Sequence, residues 1–150
     1  MEKPETAQKS PEDWREISAV WEGGNIFTGM NANGNQIKIV AGQGDGIGPM
    51  ELLLLGLAGC TGIDVVDILA KQRKRLEKFE LKVRGLRRLE HPRIYTDIEV
   101  KYELWGAGLD AASVEKAIRL SEEKYCSVSG MLGAVAKISS TYTLNKTSAE

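Results

Sequence analysis

Two cysteines are the residues of this chain best suited to covalent chemistry. Cys60 lies inside the longest apolar stretch, and Cys126 lies much further along, after a run of charged residues. A peroxide can oxidise one thiolate to a sulfenic acid, which a second thiol converts to a disulfide without a cofactor. Both residues could equally be small buried hydrophobic side chains, which is how free cysteine usually behaves. A redox pair and two structural thiols therefore both stay open.

Other kinds of site find little support in the sequence. The single histidine, His91, stands beside a proline in a predicted turn, and no second histidine is available for a metal site or a hydrolase triad. Two distant cysteines suit neither a disulfide scaffold nor a local zinc site. The glycine-rich segment 41–48 lacks the Gly-Lys-Ser/Thr ending of a phosphate-binding loop. We therefore expect no cofactor and no metal ion.

Charge and the N-terminal segment bear on partners and location. The chain of 150 residues has a formal net charge of −1, which gives no electrostatic reason to bind nucleic acid or an anionic membrane. Residues 1–13 are polar, include two prolines and lack the apolar core of a secretory signal. We expect residues 1–15 to form a flexible arm, residues 16–150 to form a single domain, and the protein to be cytoplasmic.

The apolar stretch around Cys60 predicts the helix around which the fold is built. Pro49 suits the first helical position, and Glu51 in the first turn complements the positive end of the helix dipole. Basic residues follow at the far end, where cations are favoured. The pattern predicts a helix over residues 49–74.

This helix requires more cover than a small domain offers. It is apolar on nearly every side over residues 52–58, which is typical of a buried helix. Asp64 and Asp67 cut the run short of the ~20 apolar residues that a bilayer span needs. Gly56 and Gly59 either allow another backbone to approach the thiol or simply pack tightly. One small sheet cannot surround such a helix, so we predict a homodimer whose subunits enclose each other's central helices.

Alternating segments on both sides of this helix predict strands. Six are predicted, over residues 17–21, 25–30, 36–40, 78–89, 94–105 and 137–144. Asn33-Gly34 favours a hairpin, and the even-numbered residues of 94–104 are expected to share the apolar face of their strand. Asp110 is the expected N-cap of a helix over 111–125, and a short helix is predicted over 131–136. The order indicates an α+β fold with antiparallel sheets around a long central helix.

Three segments resemble the OsmC/Ohr family of osmotically inducible and organic-hydroperoxide-resistance proteins, most closely its YhfA-like branch. They are Gly48-Pro49-Met50-Glu51-Leu52-Leu53-Leu54, Ala58-Gly59-Cys60-Thr61-Gly62-Ile63-Asp64-Val65-Val66 and Glu123-Lys124-Tyr125-Cys126-Ser127-Val128. The resemblance implies an intertwined homodimer with two sites at its interface. It implies a thiol peroxidase that acts through a disulfide, with Cys60 as the peroxidatic thiol and Cys126 as the resolving thiol. It also implies organic hydroperoxides as substrates and a dithiol as the reductant.

Two positions depart from the family pattern. The active peroxidases carry an arginine after a glycine pair in the N-terminal strands, and it holds the reactive cysteine as a thiolate, whereas Asn25 follows the glycine pair here. The glutamate that pairs with that arginine directly follows the helix-starting proline in the family. Met50 has that position here and Glu51 comes one later, about 100° around the helix. We predict Glu51 as a third, polar residue of the site.

The missing arginine raises the question of what activates the thiol. Without a neighbouring cation a buried thiol keeps a high pKa and reacts slowly. Lys38 and Lys124 are candidate replacements, although helical geometry predicts that Lys124 points away from Cys126. Asp64, one turn after Cys60, is either a solvated side chain or a neighbour that would raise the pKa of the thiol. The second hypothesis is a non-catalytic member that binds an apolar ligand between subunits or senses redox state.

Overall fold

The computed structural model describes residues 14–146 and divides the chain into two compact units, with the boundary between Pro49 and Met50. The flexible arm expected over 1–15 lies almost wholly outside the described residues. The single domain expected over 16–150 stays a prediction, and each unit is described by itself.

The first unit is a three-stranded antiparallel sheet. Its strands are β1 (Ile17–Gly23), β2 (Ile26–Asn31) and β3 (Gln36–Val40), in the order β1-β2-β3. The predicted hairpin turn joins β2 to β3, with Gly34 at φ 83°, a conformation that favours glycine. The side chain of Asn31 accepts hydrogen bonds from the N–H groups of Asn33 and Asn35 and fixes this turn. All three predicted strands are confirmed: the bounds of β1 and β2 shift by one or two residues, and those of β3 are as predicted.

The second unit contains the long helix and the remaining elements. These are α1 (Pro49–Lys71), β4 (Lys78–Arg87), β5 (Tyr95–Trp105), α2 (Ala111–Leu120), a π-helical turn (Ser121–Tyr125), α3 (Ser127–Leu132) and β6 (Lys137–Asn145). Helix α1 begins at Pro49 as predicted but ends at Lys71, three residues early. Arg73 there adopts a positive φ of 58°, which a continuing helix cannot contain. Together with the first unit, these elements confirm the α+β class.

The second sheet corrects one part of the predicted topology. Its order is β4-β5-β6, and β4 pairs with β5 antiparallel as expected. Strand β6, however, runs parallel to β5, from the pair Asp97–Lys137 to the pair Trp105–Asn145. Parallel neighbours need a crossover connection of a dozen or more residues, usually helical. Helices α2 and α3 with the π-helical turn supply that connection, so the sheet is mixed rather than antiparallel.

An irregularity at the start of β5 corrects its predicted apolar face. Tyr95 pairs with Arg87 and Asp97 with Leu86, so Thr96 has no partner of its own on β4. Such a bulge moves the side chains on one side of it to the opposite face. Tyr95 is therefore the buried residue there, in place of the predicted Ile94 and Thr96. From Ile98 onwards the predicted alternation holds.

The helices after β5 follow the prediction only in part. Asp110 caps α2 as predicted, accepting a hydrogen bond from the Ser113 N–H at 2.8 Å. The predicted helix over 111–125 gives way to the π-helical turn after Leu120. The helix predicted over 131–136 instead spans Ser127–Leu132, because Cys126 forms its N-cap.

The buried core of the second unit lies between α1, β5 and α2. Helix α1 contributes Leu57, Val65 and Leu69 to it, and the alternate residues of β5 from Ile98 to Leu104 face them. The stripe of α2 is Val114, Ala117 and Ile118. This core fixes the middle of α1, which carries Cys60.

Candidate functional site

Cys60 and Cys126 meet in the second unit. Cys60 lies in the middle of α1, and Cys126 lies where the π-helical turn passes into α3. Both are free cysteines, and their Sγ atoms and a carboxylate oxygen of Asp64 all lie within 4.8 Å of one another. Two thiols distant in sequence are therefore neighbours in the fold, as a redox pair requires.

Local helical geometry brings these three side chains together. Asp64 follows Cys60 by one turn of α1, so the two side chains share a helix face. The N–H of Cys126 donates to the Ser121 carbonyl, five residues back, at 2.7 Å. This π-type bond inserts one extra residue into the turn, a feature frequent at functional sites. It leaves Cys126 in an extended conformation, with its sulfur accepting a hydrogen bond from the Ser129 N–H at 3.3 Å.

The two thiols differ in their surroundings. Cys126 is only 5% exposed, whereas Cys60 is half-buried. Burial raises the pKa of the Cys126 thiol, the neighbouring Cys60 raises it further, and hydrogen bonding from Ser129 opposes both effects. Cys126 is therefore held as a neutral thiol at neutral pH, and Cys60 is the more accessible of the two.

A buried chain of hydroxyl groups leads away from Asp64. Its Oδ2 accepts a hydrogen bond from Ser121 Oγ at 2.8 Å, and Ser121 Oγ lies 2.8 Å from Thr61 Oγ1. Thr61 Oγ1 in turn lies 2.8 Å from the Tyr102 hydroxyl, which donates to Glu122 Oε1 at 2.9 Å. Thr61, Tyr102 and Ser121 are each 0% exposed. The chain links the carboxyl group beside the thiols to a half-buried carboxyl group on the π-helical turn.

Tyr102 is the aromatic residue in this chain of hydroxyl groups. Its ring stacks on Phe79 at a centroid distance of 6.2 Å. Burial raises the pKa of the Tyr102 phenol far above its usual range, Thr61 opposes this, and the nearby Glu122 adds to it. The phenol therefore keeps its proton at any physiological pH.

This chain of hydroxyl groups is not among the features that the sequence predicts. The apolar face predicted for β5 includes Tyr102, which is buried, and the helix predicted over 111–125 includes Ser121, which is also buried. A buried hydroxyl group must find a partner, because leaving it unpaired costs about 1–3 kcal/mol. That requirement was a usable signal, but only the tertiary structure identifies the partners.

Glu51 lies apart from the thiols within the chain. It is an exposed residue in the first turn of α1, about two and a half turns or about 13 Å along the axis from Cys60. Glu51 is not among the residues grouped with the two sulfurs. Its negative charge acts instead on Tyr95, whose pKa is raised first by burial and further by Glu51, with Arg87 opposing. A part for Glu51 in the site stays a prediction.

Lys124 and Lys38, the candidate replacements for the family arginine, lie in different units. The Lys124 ammonium lies over the Tyr125 ring, 5.2 Å from its centroid. The π-helical turn invalidates the angle of 100° per residue on which its predicted direction rested. Lys38 lies on β3, in the first unit. Asn25 lies between β1 and β2, where its carbonyl accepts the N–H of Ala41 at 3.2 Å. Asp64, by contrast, is a direct neighbour of both sulfurs.

The donors of the cluster suit thiol chemistry and do not complete a closed structural zinc site. The cluster offers two sulfurs and one carboxylate, one donor fewer than the four of a closed structural zinc site. Within residues 14–146 no further cysteine, histidine or carboxylate joins the group. We therefore describe the site as a pair of thiols with an adjacent carboxyl group.

Comparison with known proteins gives consistent matches. The family model described as OsmC-like protein matches residues 42–141. Protein YhfA of Escherichia coli strain K12 is 41% identical over 123 residues, which cover 81% of this chain and 92% of that protein.

Solved structures give the same result. A hypothetical protein from Aquifex aeolicus superposes with a TM-score of 0.82 at 31% identity, covering 92% of this chain and 99% of that one. An organic hydroperoxide resistance protein OsmC from Legionella pneumophila gives a TM-score of 0.69 at 13% identity, covering 89% and 99% of the respective chains. At that identity the likeness to the Legionella protein shows a shared fold alone.

Proposed function

Because the chain belongs to the OsmC family, we propose that it is a cysteine-dependent thiol peroxidase that reduces organic hydroperoxides. One observation carries this proposal: the sulfurs of Cys60 and Cys126, both free, lie within 4.8 Å of each other. Cys60 attacks the peroxide, Cys126 resolves the product, and a dithiol restores both. The name of the Legionella protein with the same fold, an organic hydroperoxide resistance protein, supports the substrate class.

The reaction balances without a cofactor. The Cys60 thiolate attacks one peroxide oxygen, so that an S–O bond forms, the O–O bond breaks and the departing alkoxide takes a proton to leave as an alcohol. The Cys126 sulfur then attacks the sulfenic acid, an S–S bond forms and water leaves. A dithiol supplies the two electrons and two protons that return both cysteines to thiols.

Burial supports the roles that the family resemblance implies for the two cysteines. A peroxide must reach the attacking sulfur, and Cys60 is the more exposed of the pair. Cys126 is buried, and burial raises the pKa of its thiol, which disfavours the thiolate needed for a first attack. Cys126 is suited to the second step, in which it meets a sulfenic acid already formed beside it.

We also propose that the protein acts as a homodimer. Gly56, Gly59, Ile63 and Val66 follow one another at intervals of three and four on α1 and are exposed in the protomer. The space where side chains of the two glycines would lie is open. A second copy that covers this face would also cover Cys60, which directly follows Gly59 on the helix.

The same helix bears on cellular location. The expectation that Asp64 and Asp67 leave the apolar run too short is wrong, because helix α1 is long and apolar enough to cross a membrane by length and composition alone. Core helices of soluble proteins pass the same test, and members of this family are generally soluble. We therefore propose that α1 is a core helix of the dimer and that the protein is cytoplasmic.

Peroxide consumption tests the proposed function. The wild type with cumene hydroperoxide and a dithiol is expected to turn over, Cys60→Ser to lose turnover, and Cys126→Ser to stop after one event with a sulfenic acid that dimedone traps. Peroxide without reductant should lower the mass of each wild-type chain by about 2 Da as the disulfide forms. Equal, slow consumption by the wild type and Cys60→Ser would contradict the proposal and favour a ligand-binding or redox-sensing role.

A further inference from the structure

The hydroxyl chain between Asp64 and Glu122 is one proton short. It contains four oxygen–oxygen contacts of hydrogen-bond length, and each needs one proton. The three hydroxyl groups of Ser121, Thr61 and Tyr102 bring one proton each. With both carboxyl groups ionised, three protons therefore serve four contacts.

The shortage falls on the buried middle of the chain. The Ser121 proton is directed to Asp64 and the Tyr102 proton to Glu122. Thr61 can then donate to only one of its two neighbours, each 2.8 Å away. The other contact brings the lone pairs of two oxygens together where water has no access, which is costly in a medium of low dielectric.

One added proton at either end completes the chain. A protonated Asp64 donates to Ser121, Ser121 to Thr61, Thr61 to Tyr102 and Tyr102 to an ionised Glu122. Rotation of the three hydroxyl groups gives the reverse order, with the added proton on Glu122. The chain can thus carry a proton between its two ends while Tyr102, whose phenol burial keeps protonated, never ionises.

We propose that Asp64 accepts the proton of the Cys60 thiol and that Ser121, Thr61 and Tyr102 connect this proton to solvent through Glu122. The inference rests on the proposed peroxidase function. It names the group that activates the Cys60 thiol in a protein that has Asn25 where the active peroxidases of the family have arginine. In this step the S–H bond breaks and a carboxyl O–H bond forms. The thiolate then lies beside a neutral carboxylic acid rather than a second anion, and the acid returns the proton to the departing alkoxide.

The surroundings of the two ends suit this exchange. Cys60 and Cys126 are the titratable groups grouped with Asp64, and all three lie within 4.8 Å, a distance that one water molecule bridges. At the other end, Glu122 faces Tyr102 and accepts a second hydrogen bond from the exposed Ser140 at 3.2 Å. Glu122 is half-buried, so solvent reaches that end of the chain and not the middle.

Alkylation of Cys60 by iodoacetamide, measured without peroxide in a Cys126→Ser background, tests the relay. The rate is followed between about pH 5 and pH 9, where thiols and their neighbours titrate. Tyr102→Phe removes one hydroxyl group and leaves two protons for two contacts from Asp64 to Thr61, so Asp64 no longer gains a contact by accepting a proton. We expect the rate at neutral pH to fall by roughly tenfold, less than the ~100-fold or more of a complete general-base effect, because Asp64 itself stays in place.

Tyr142→Phe is the matched control. The Tyr142 hydroxyl also donates to a carboxylate, Glu115, at 2.7 Å, but this pair lies on the surface outside the chain. Its loss should leave the alkylation profile unchanged. If the Tyr102→Phe variant fails to fold, Ser121→Ala replaces it, because that substitution also removes one hydroxyl group from the chain between Asp64 and Glu122.

The Asp64→Asn variant distinguishes two roles for Asp64: accepting the proton of the Cys60 thiol, or acting on it only as a nearby negative charge. Removing a negative charge beside the thiol would by electrostatics alone increase thiolate formation and speed alkylation. Loss of the acceptor slows it instead, by roughly tenfold or more at neutral pH. Faster or unchanged alkylation in Asp64→Asn, or equal rates in Tyr102→Phe and Tyr142→Phe, would overturn the relay. Because no peroxide is present, these results are independent of whether the wild type turns over hydroperoxides.

Discussion

The two units of the chain differ in how much of their apolar surface they bury for themselves. In the second unit, alternate residues of β5 and the stripe of α2 are almost fully buried against α1. In the described part of the first unit, Val40 is the one buried hydrophobic side chain, while Trp21 is 65% exposed. A three-stranded sheet needs an apolar face packed on something for independent stability. The thiols lie in the unit that buries its own apolar core, whereas the apolar side chains of the first unit stay largely exposed.

The largest expected effect is a loss of stability on removing a buried side chain from the second unit, compared with an exposed one from the first. Ile98→Ala removes a side chain that is 0% exposed in the second unit and should lower the free energy of unfolding by about 2–5 kcal/mol. Ile17→Ala, at a position 73% exposed in the first unit, is the matched control and should cost less than about 1 kcal/mol. Chemical denaturation measures both. Equal costs would mean that the first sheet is buried in solution, and the contrast between the units would disappear.

A smaller effect is expected at the exposed face of α1. Ile63→Arg places a charge on a residue that is 64% exposed in the protomer and that the proposed dimer buries. It should weaken association by about 2 kcal/mol or more, the scale of an interface hot spot. Light scattering over a dilution series measures the change, with Leu89→Arg, 89% exposed outside the helix, as the control. A wild type that is monomeric at micromolar concentration would contradict the dimer itself.

The smallest effect concerns the start of α2 and depends on pH. Lys74 lowers the pKa of the Asp110 carboxyl to about 2, and hydrogen bonds from Ser113 assist. A carboxyl group whose pKa is lower folded than unfolded stabilises the protein above its unfolded pKa, near 3.8. This contribution is lost as the pH falls from about 4 through about 2. Thermal unfolding of wild type and Asp110→Ala should therefore differ at neutral pH and converge in acid. A constant difference would contradict the pairing.

Sequence patterns predicted the features of this fold that depend on neighbouring residues. The start of α1 at Pro49, the hairpin at Asn33-Gly34 and the Asp110 cap all follow from short-range chemistry. The parallel pairing of β6 did not follow, because alternation along a strand does not reveal which neighbour it chooses. The bulge at Thr96 was not predictable for a similar reason, because it exists only as a mismatch in register between two strands.

The candidate site was predictable to a different degree. The pairing of Cys60 with Cys126 came from family resemblance rather than from their spacing, and it is the structure that brings both sulfurs within 4.8 Å. Asp64 could be placed beside Cys60 by helical periodicity alone. The contacts among Thr61, Tyr102 and Ser121 join three separate elements, and no local pattern encodes them.

The π-helical turn also limits how this family member can change its length. Five residues, Ser121 to Tyr125, fill the space that a regular helix would occupy with fewer. Deleting one of them would restore ordinary winding and rotate everything downstream by about 100°. Cys126 would then swing away from Cys60 although neither cysteine had been altered. The proximity of the two thiols thus depends partly on a residue count, and a sequence that keeps both cysteines can lose this proximity through a single deletion.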